Sequence, residues 1–324
     1  MVYRIPVRAV LLFFCISWFL GTSNLVLALD RDDDLYGISR ARNTTTEPLP
    51  LDGKDGDLYS REQREEEVVV VINRPPNIQG LTGLMVMNSA FTRPAGTFAV
   101  GATAMIENSD KPDYSVVTVP ITLTYGISDT IEAGLKMKYI DYSKGSETGP
   151  GDTELAVKWR WNTHGKTTPE LAIGLAGIIP TASESKGLNE VKNWGAKFMV
   201  MATSETKIGV NSFLGIYLEA QAVFLDTLSV TNKTGQDRYG ILNAGVLLPI
   251  SSNNRLQAMI EVNDTTDKKL SNTSLREGDQ LGITPALRYV TDTLSITAGT
   301  QFLKKDTAGY KDTVRWIGTI SYQF

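Results

Sequence analysis

Residues 313–324 read T-V-R-W-I-G-T-I-S-Y-Q-F, and the alternation within them governs the reading of the rest of the chain. Val314, Trp316, Gly318, Ile320, Tyr322 and Phe324 share one face of a period-2 strand, and Arg315, Thr319, Ser321 and Gln323 share the other. An apolar face with aromatic rings near both ends suits a strand whose outside meets lipid, the rings lying at the two membrane interfaces. A soluble sandwich would instead bury such a face against a second sheet.

Working outward, the same alternation recurs at 98–106, 117–125, 131–139, 153–161, 171–179, 196–202, 214–224, 242–248, 256–262, 281–289 and 294–302. With the last strand this predicts twelve strands of about ten residues, long enough to cross a bilayer when tilted. Their connections alternate in length. Those at 126–130, 162–169, 204–211, 251–255 and 291–293 are short, whereas those at 107–115, 143–152, 180–193, 226–237, 263–279 and 304–312 are long and polar. Short periplasmic turns, long external loops and an even strand count define an all-β fold, a 12-stranded antiparallel transmembrane β-barrel with both termini in the periplasm. Phe324, with Tyr322 two residues before it and Ile320 four before it, resembles the closing strand of bacterial outer-membrane barrels. That resemblance implies recognition by the barrel-assembly machinery.

The 324 residues are 42% hydrophobic and 21% charged, a globular balance. After the N-terminus there is no run of about 18 apolar residues, so any crossing must be made by strands. Arg4 and Arg8 precede the apolar run Ala9 to Leu20, and Val26 and Ala28 suit cleavage, so residues 1–28 read as a signal peptide. Cys15, the one cysteine, lies inside it, leaving the mature chain without disulfide or thiolate chemistry. Asp30 to Glu67 holds twelve acidic and six basic residues, whereas the chain from Val68 onward is balanced at 24 of each. Residues 29–80 are therefore expected to be a mostly disordered acidic periplasmic extension, burying too little apolar surface to offset ordering entropy. Val68 to Ile72, after three glutamates, is expected to be a strand that tucks against the barrel or an interdomain β-segment. The barrel domain is placed at 81–324, with strands from about 97.

The opposite faces of the strands carry Glu132, Lys136, Lys138, Glu154, Lys158, Arg160, Glu170, Lys197, Glu219, Glu261, Arg288 and Arg315. Charges at alternate positions of otherwise apolar strands need water or partners, so these residues are expected to line a wet lumen. Pairing Lys138 with Glu154 across the third and fourth strands would set Glu132 opposite Arg160, and Arg160 opposite Glu170, forming a belt near the periplasmic end. Twelve strands enclose more space than about eight and less than about 16, which suits a narrow channel. Both signs line the wall, so strong ion selectivity is not indicated.

The run Gly151-Asp152-Thr153-Glu154-Leu155-Ala156-Val157-Lys158-Trp159-Arg160-Trp161 is similar to the GDTELxxKYRF signature of the outer-membrane transporter family named after the meta-cleavage pathway of phenol degradation. TYGISDTIEAGLKMKY before it matches that family's strand, turn and strand lead-in. The resemblance implies a Gram-negative, porin-like channel passing small hydrophobic or aromatic molecules, with outer-membrane lipid and small solutes as its partners. GLTGLMVMNSAFTRPAGTFAVGA, at 80–102, is similar to the first segment of barrels associated with exopolysaccharide export. The alternative is therefore a non-conducting structural or interaction barrel, such as an accessory to that export.

Enzyme chemistry finds little support. A barrel hydrolase needs a serine and histidine pair, yet the one histidine, His164, falls in an expected periplasmic turn. No catalytic, metal or cofactor residues are assigned. Phosphate-cradling glycine loops and basic nucleic-acid patches are absent, and the Asn/Asp-rich stretch from Asn263 to Asp267 matches no calcium-loop spacing.

Overall fold

The computed structural model describes residues 74–324 apart from 111–112, 143–146, 162–168, 184–185, 187, 210–211, 229–233, 252, 267–279 and 306–311. The expected signal peptide at 1–28, residues 29–73 of the expected acidic extension and His164 lie outside the described residues.

Period-2 alternation becomes a closed antiparallel barrel. Its strands are β1 (Phe98–Asp110), β2 (Asp113–Ser128), β3 (Ile131–Tyr142), β4 (Thr148–Pro150), β5 (Thr153–Trp161), β6 (Glu170–Ile179), β7 (Gly195–Gly209), β8 (Ser212–Leu228), β9 (Thr234–Pro249), β10 (Leu256–Thr265), β11 (Gln280–Val290), β12 (Leu294–Lys305) and β13 (Thr313–Gln323). Each of the long strands pairs with its sequence neighbours, and β1 closes on β13 with Ala102 opposite Ile320. The closure is sealed at one rim, where Phe98 and Phe324 exchange backbone hydrogen bonds and their rings stack 4.5 Å apart. Twelve staves form the wall, because β4 and β5 both pair with β3 and act as one strand broken at Gly151 and Asp152.

Outward positions such as Ile121, Leu123, Leu155, Val157, Trp159, Ile260, Leu287, Trp316 and Ile320 are exposed. That much bare apolar surface on every side has its physical explanation in lipid. Several stretches expected as connections are ladder instead. β1 and β2 pair out to Asp110 and Asp113, β7 reaches Gly209, and β8 and β9 run for 17 and 16 residues. Polar residues stay in the ladder there because a hairpin projecting beyond the bilayer satisfies its backbone as well in water as in lipid.

The register of β3 against β5 differs from the expected one. Glu132 lies opposite Lys158 and Lys136 opposite Glu154, while Arg160 faces Ala172 rather than Glu170. β4 continues the pairing past the break, with Tyr139 opposite Pro150, and so takes up residues that would otherwise have been loop. A slip of two residues preserves which face each side chain points to, so the lumen assignments keep their face while the belt changes partners.

Candidate functional site: the lumen and the segment inside it

The lumen is not empty. Residues 74–93 lie inside the barrel, held by side chains from β2, β3, β5, β7, β8, β10 and β11, and residues 94–97, exposed at 94–96, lead from them into β1. The segment is neither helix nor continuous strand. It is a pair of tight turns, bridged at Pro76 with Thr82 and at Gly83 with Asn88, and Gly80 turns it at a φ of 89°. The N–H groups of Asn77, Ile78, Gly80, Gly83, Leu84 and Ser89 are answered by carbonyls of the segment itself, and others must be answered from the wall.

Three wall carboxylates answer them. Glu261 on β10 accepts from the N–H groups of Met85, Val86 and Met87, at 2.8, 2.9 and 2.8 Å for the shortest contact of each. Glu219 on β8 accepts from Asn88 N at 3.1 Å and Asn88 Nδ2 at 2.6 Å, and from Asn243 Nδ2 at 2.8 Å. Glu132 on β3 accepts from the N–H groups of Thr82 and Arg93, both at 2.7 Å, and from the Thr82 hydroxyl. Lys158 Nζ sits 3.0 Å from the Glu132 carboxylate and also donates to the carbonyls of Thr82 and Ser89.

Further side chains pin the segment at its ends and at Gly83. Arg74 pairs with Glu205 at 2.7 Å and lies 3.7 Å over the Phe91 ring, Arg93 donates to Gln323, and Arg288 donates to the Gly83 carbonyl at 3.4 Å. Burial of Arg93 lowers its pKa from the ordinary arginine value, the neighbouring Glu132 carboxylate opposing that shift.

Apolar contact completes the fit. Leu84, Met85 and Met87 pack among Phe213, Tyr217, Leu247, Met259, Ala286 and Ile317, while Leu81 and Ala90 pack on Met199, Met201 and three β5 and β6 alanines. Each fully buried side chain of this size contributes about 1.5–3 kcal/mol. Wall glycines make the space. A Cβ at Gly134 would stand 2.3 Å from the Gly80 carbonyl oxygen, and one at Gly245 2.6 Å from Leu84 Cδ1.

A polar row runs around the wall alongside the segment. Glu107 receives Arg315, which donates on to Gln301; Gln301 donates to Asn263 at 3.1 Å, and Asn263 to Asn243 at 2.7 Å. Gln301 and Asn263 meet across β11 because Gly282 has no side chain to separate them.

Of the remaining predicted residues, Lys136, Lys138, Glu154 and Lys197 gather toward the long-loop end. Lys136 and Lys197 each place Nζ 2.7 Å from the same Glu154 oxygen, and Lys138 pairs with Glu190 in the connection between β6 and β7. The Gly151-to-Glu154 motif explains itself here. A Cβ on Gly151 would lie 2.6 Å from Lys138 Cε, Asp152 accepts from the backbone N–H groups of Ala182, Glu190 and Val191, Thr153 Oγ1 meets Thr181 Oγ1 at 2.8 Å, and Glu154 holds two lysines. Gly151, Asp152 and Thr153 fasten the β6–β7 connection to the wall, while Glu154 ties β5 to β3 and β7. Arg160 donates to the Asp129 carbonyl at the short-turn rim, with Glu170 partly buried nearby.

Sequence reasoning missed Thr82, Asn88, Glu107, Asp152, Glu190 and Glu205. The available signal lay in Glu219 and Glu261, inward acids with no cation opposite them on a neighbouring strand. Among the described residues no group of three or more His, Cys, Asp or Glu side chains is placed to hold a metal ion.

No protein-family model and no curated protein sequence matches the chain. Among solved structures, an outer membrane channel from Pseudomonas putida F1 aligns with a TM-score of 0.57 at 12% identity, over 72% of this chain and 98% of that one. The NanC porin aligns at 0.51 and 8% identity, over 69% of this chain and 98% of its own. These likenesses show a shared fold, the outer-membrane β-barrel, and the kinship suggested by the Gly151–Trp161 motif stays a resemblance.

Proposed function

We propose that the protein is a channel of the bacterial outer membrane for passive passage of small solutes, filled in this state by its own residues 74–93. The observation that carries the reading is the manner of filling. The segment is held by side chains, not by strand pairing, so it can leave as a unit without opening the barrel wall. Its departure would bare Met199, Met201, Leu247, Met259 and Ile317 among the wall charges, a surface suited to small hydrophobic or aromatic solutes. Porin and channel neighbours support passage rather than catalysis. The lipid-facing exterior supports an outer-membrane site, with periplasmic termini and with Phe324, Tyr322 and Ile320 as the mark read by the assembly machinery.

Liposome swelling tests this. Vesicles holding a variant lacking residues 29–93 should take up small neutral solutes faster than vesicles holding the full chain. Equal, background-level swelling would favour the second reading, a non-conducting structural or interaction barrel such as an accessory to polymer export. The sealed contacts of Leu84, Met85 and Met87 support that second reading.

A further inference from the structure

Among the described residues, the ammonium groups of Lys136, Lys138 and Lys197 pair with Glu154 and Glu190 and not with the internal segment. These three lysines project from β3 and β7 into one sector of the lumen near the long-loop end. Glu154 engages two of them through a single oxygen, and Lys197 reaches it across β6 because the aligned β6 residue, Ala176, is small. Asp152 is committed to three backbone N–H groups of the β6–β7 connection. Without Glu190, the three ammonium groups would face two carboxylates, one of them already engaged.

Glu190 restores neutrality from outside the wall. Its side chain is 52% exposed, whereas that of its partner Lys138 is 10% exposed. The next residue, Val191, is fully buried in an apolar patch made by Ile178, Val223 and Leu225. Ile178 lies directly opposite Glu154 in the β5–β6 register, so the apolar patch borders the charged cluster. Glu190 and Val191 therefore present a carboxylate beside an aliphatic group, seated in a receptor of ammonium groups bordered by hydrocarbon.

We propose that this sector is a binding site for a small carboxylate bearing an apolar group, and that Glu190 and Val191 occupy it as a resident substitute that such a ligand displaces. The proposal names a solute class for the channel reading and rests on it, but binding can be measured without transport. A carboxylate entering here exchanges one ion pair with Lys138 for another, so the displaced loop leaves no buried charge unpaired. A neutral analogue has no such exchange and should gain nothing.

The test uses the full chain in detergent, with benzoate as probe, benzyl alcohol as neutral control and calorimetry as readout. Heat-modifiable migration on gels would show that each variant keeps its barrel. Glu190→Gln removes the competing carboxylate and should tighten benzoate binding at least fivefold over the unsubstituted chain, with benzyl alcohol unchanged. Adding Lys138→Gln to Glu190→Gln should abolish that gain while leaving the Glu154 contacts in place. Glu147→Gln, an exposed acid on the same rim, should have no effect. The proposal is overturned if Glu190→Gln binds benzoate no better than the unsubstituted chain, if the double variant keeps the gain, or if Glu147→Gln reproduces it. A membrane that stays silent while Glu190→Gln shows the gain would count against the channel reading alone.

Discussion

Lys158 and Glu132 face each other across β5 and β3 with Nζ 3.0 Å from the carboxylate, and neither side chain reaches solvent. The pair is a clamp on the internal segment, since both members also bind its backbone. Lys158→Met should leave a buried carboxylate without its cation, a loss of about 3–5 kcal/mol where one partner of a buried pair is removed. Release of the segment would rehydrate Glu132, so the loss should appear as protease cleavage within residues 74–93 while the barrel stays folded. Protection equal to that of the unsubstituted protein would mean that the pair does not clamp.

Glu261 makes a second, separable clamp. In Glu261→Ala the N–H groups of Met85, Val86 and Met87 lose their acceptor, at roughly 1–3 kcal/mol for each buried group left unanswered. Hydrogen exchange read by mass spectrometry should show those three amides exchanging at least about tenfold faster, with β9 and β11 unchanged. Uniform acceleration across the barrel would instead point to global destabilisation.

Steric fit supplies a third check. A methyl at Gly134 meets a backbone oxygen at 2.3 Å, which cannot yield as a flexible side chain would, whereas one at outward-facing Gly177 meets nothing within 4 Å. With Ser89→Cys as reporter, maleimide should label Gly134→Ala readily and leave Gly177→Ala as unreactive as the parent. Ser89 is 1% exposed in place, so labelling reports departure of the segment.

At the opposite end, Asp152→Ala should loosen the β6–β7 connection by stripping the acceptor from Ala182, Glu190 and Val191. A Leu188→Cys reporter, buried in the parent, should become reactive to maleimide. The segment's own reporter at Ser89 should not respond, because Asp152 bonds the β6–β7 connection and not the internal segment.

Much of this was legible in the sequence. The alternation that begins with Val314, Trp316 and Ile320 fixes the barrel and its lipid face, because side-chain period and membrane solvation leave few other solutions. The inward positions of Glu132, Lys158, Glu219 and Glu261 follow from the same parity. Partners were less accessible, since parity survives a two-residue slip, and Lys158 rather than Arg160 faces Glu132. The internal segment was hidden for a different reason. Residues 74–93 have no periodicity of their own, and their order comes from acids 39 to 176 residues away in sequence. Gly134 and Gly245 are legible in retrospect, as gaps on the inner face that only an occupant explains.

Single-channel recording in a planar bilayer tests the central claim most directly, comparing the full chain with a variant lacking residues 29–93. A passage occupied by its own segment predicts closed or flickering behaviour for the full chain and a larger, steady conductance for the variant. Folded barrels that stay silent in both forms would contradict the account and make the protein a non-conducting barrel.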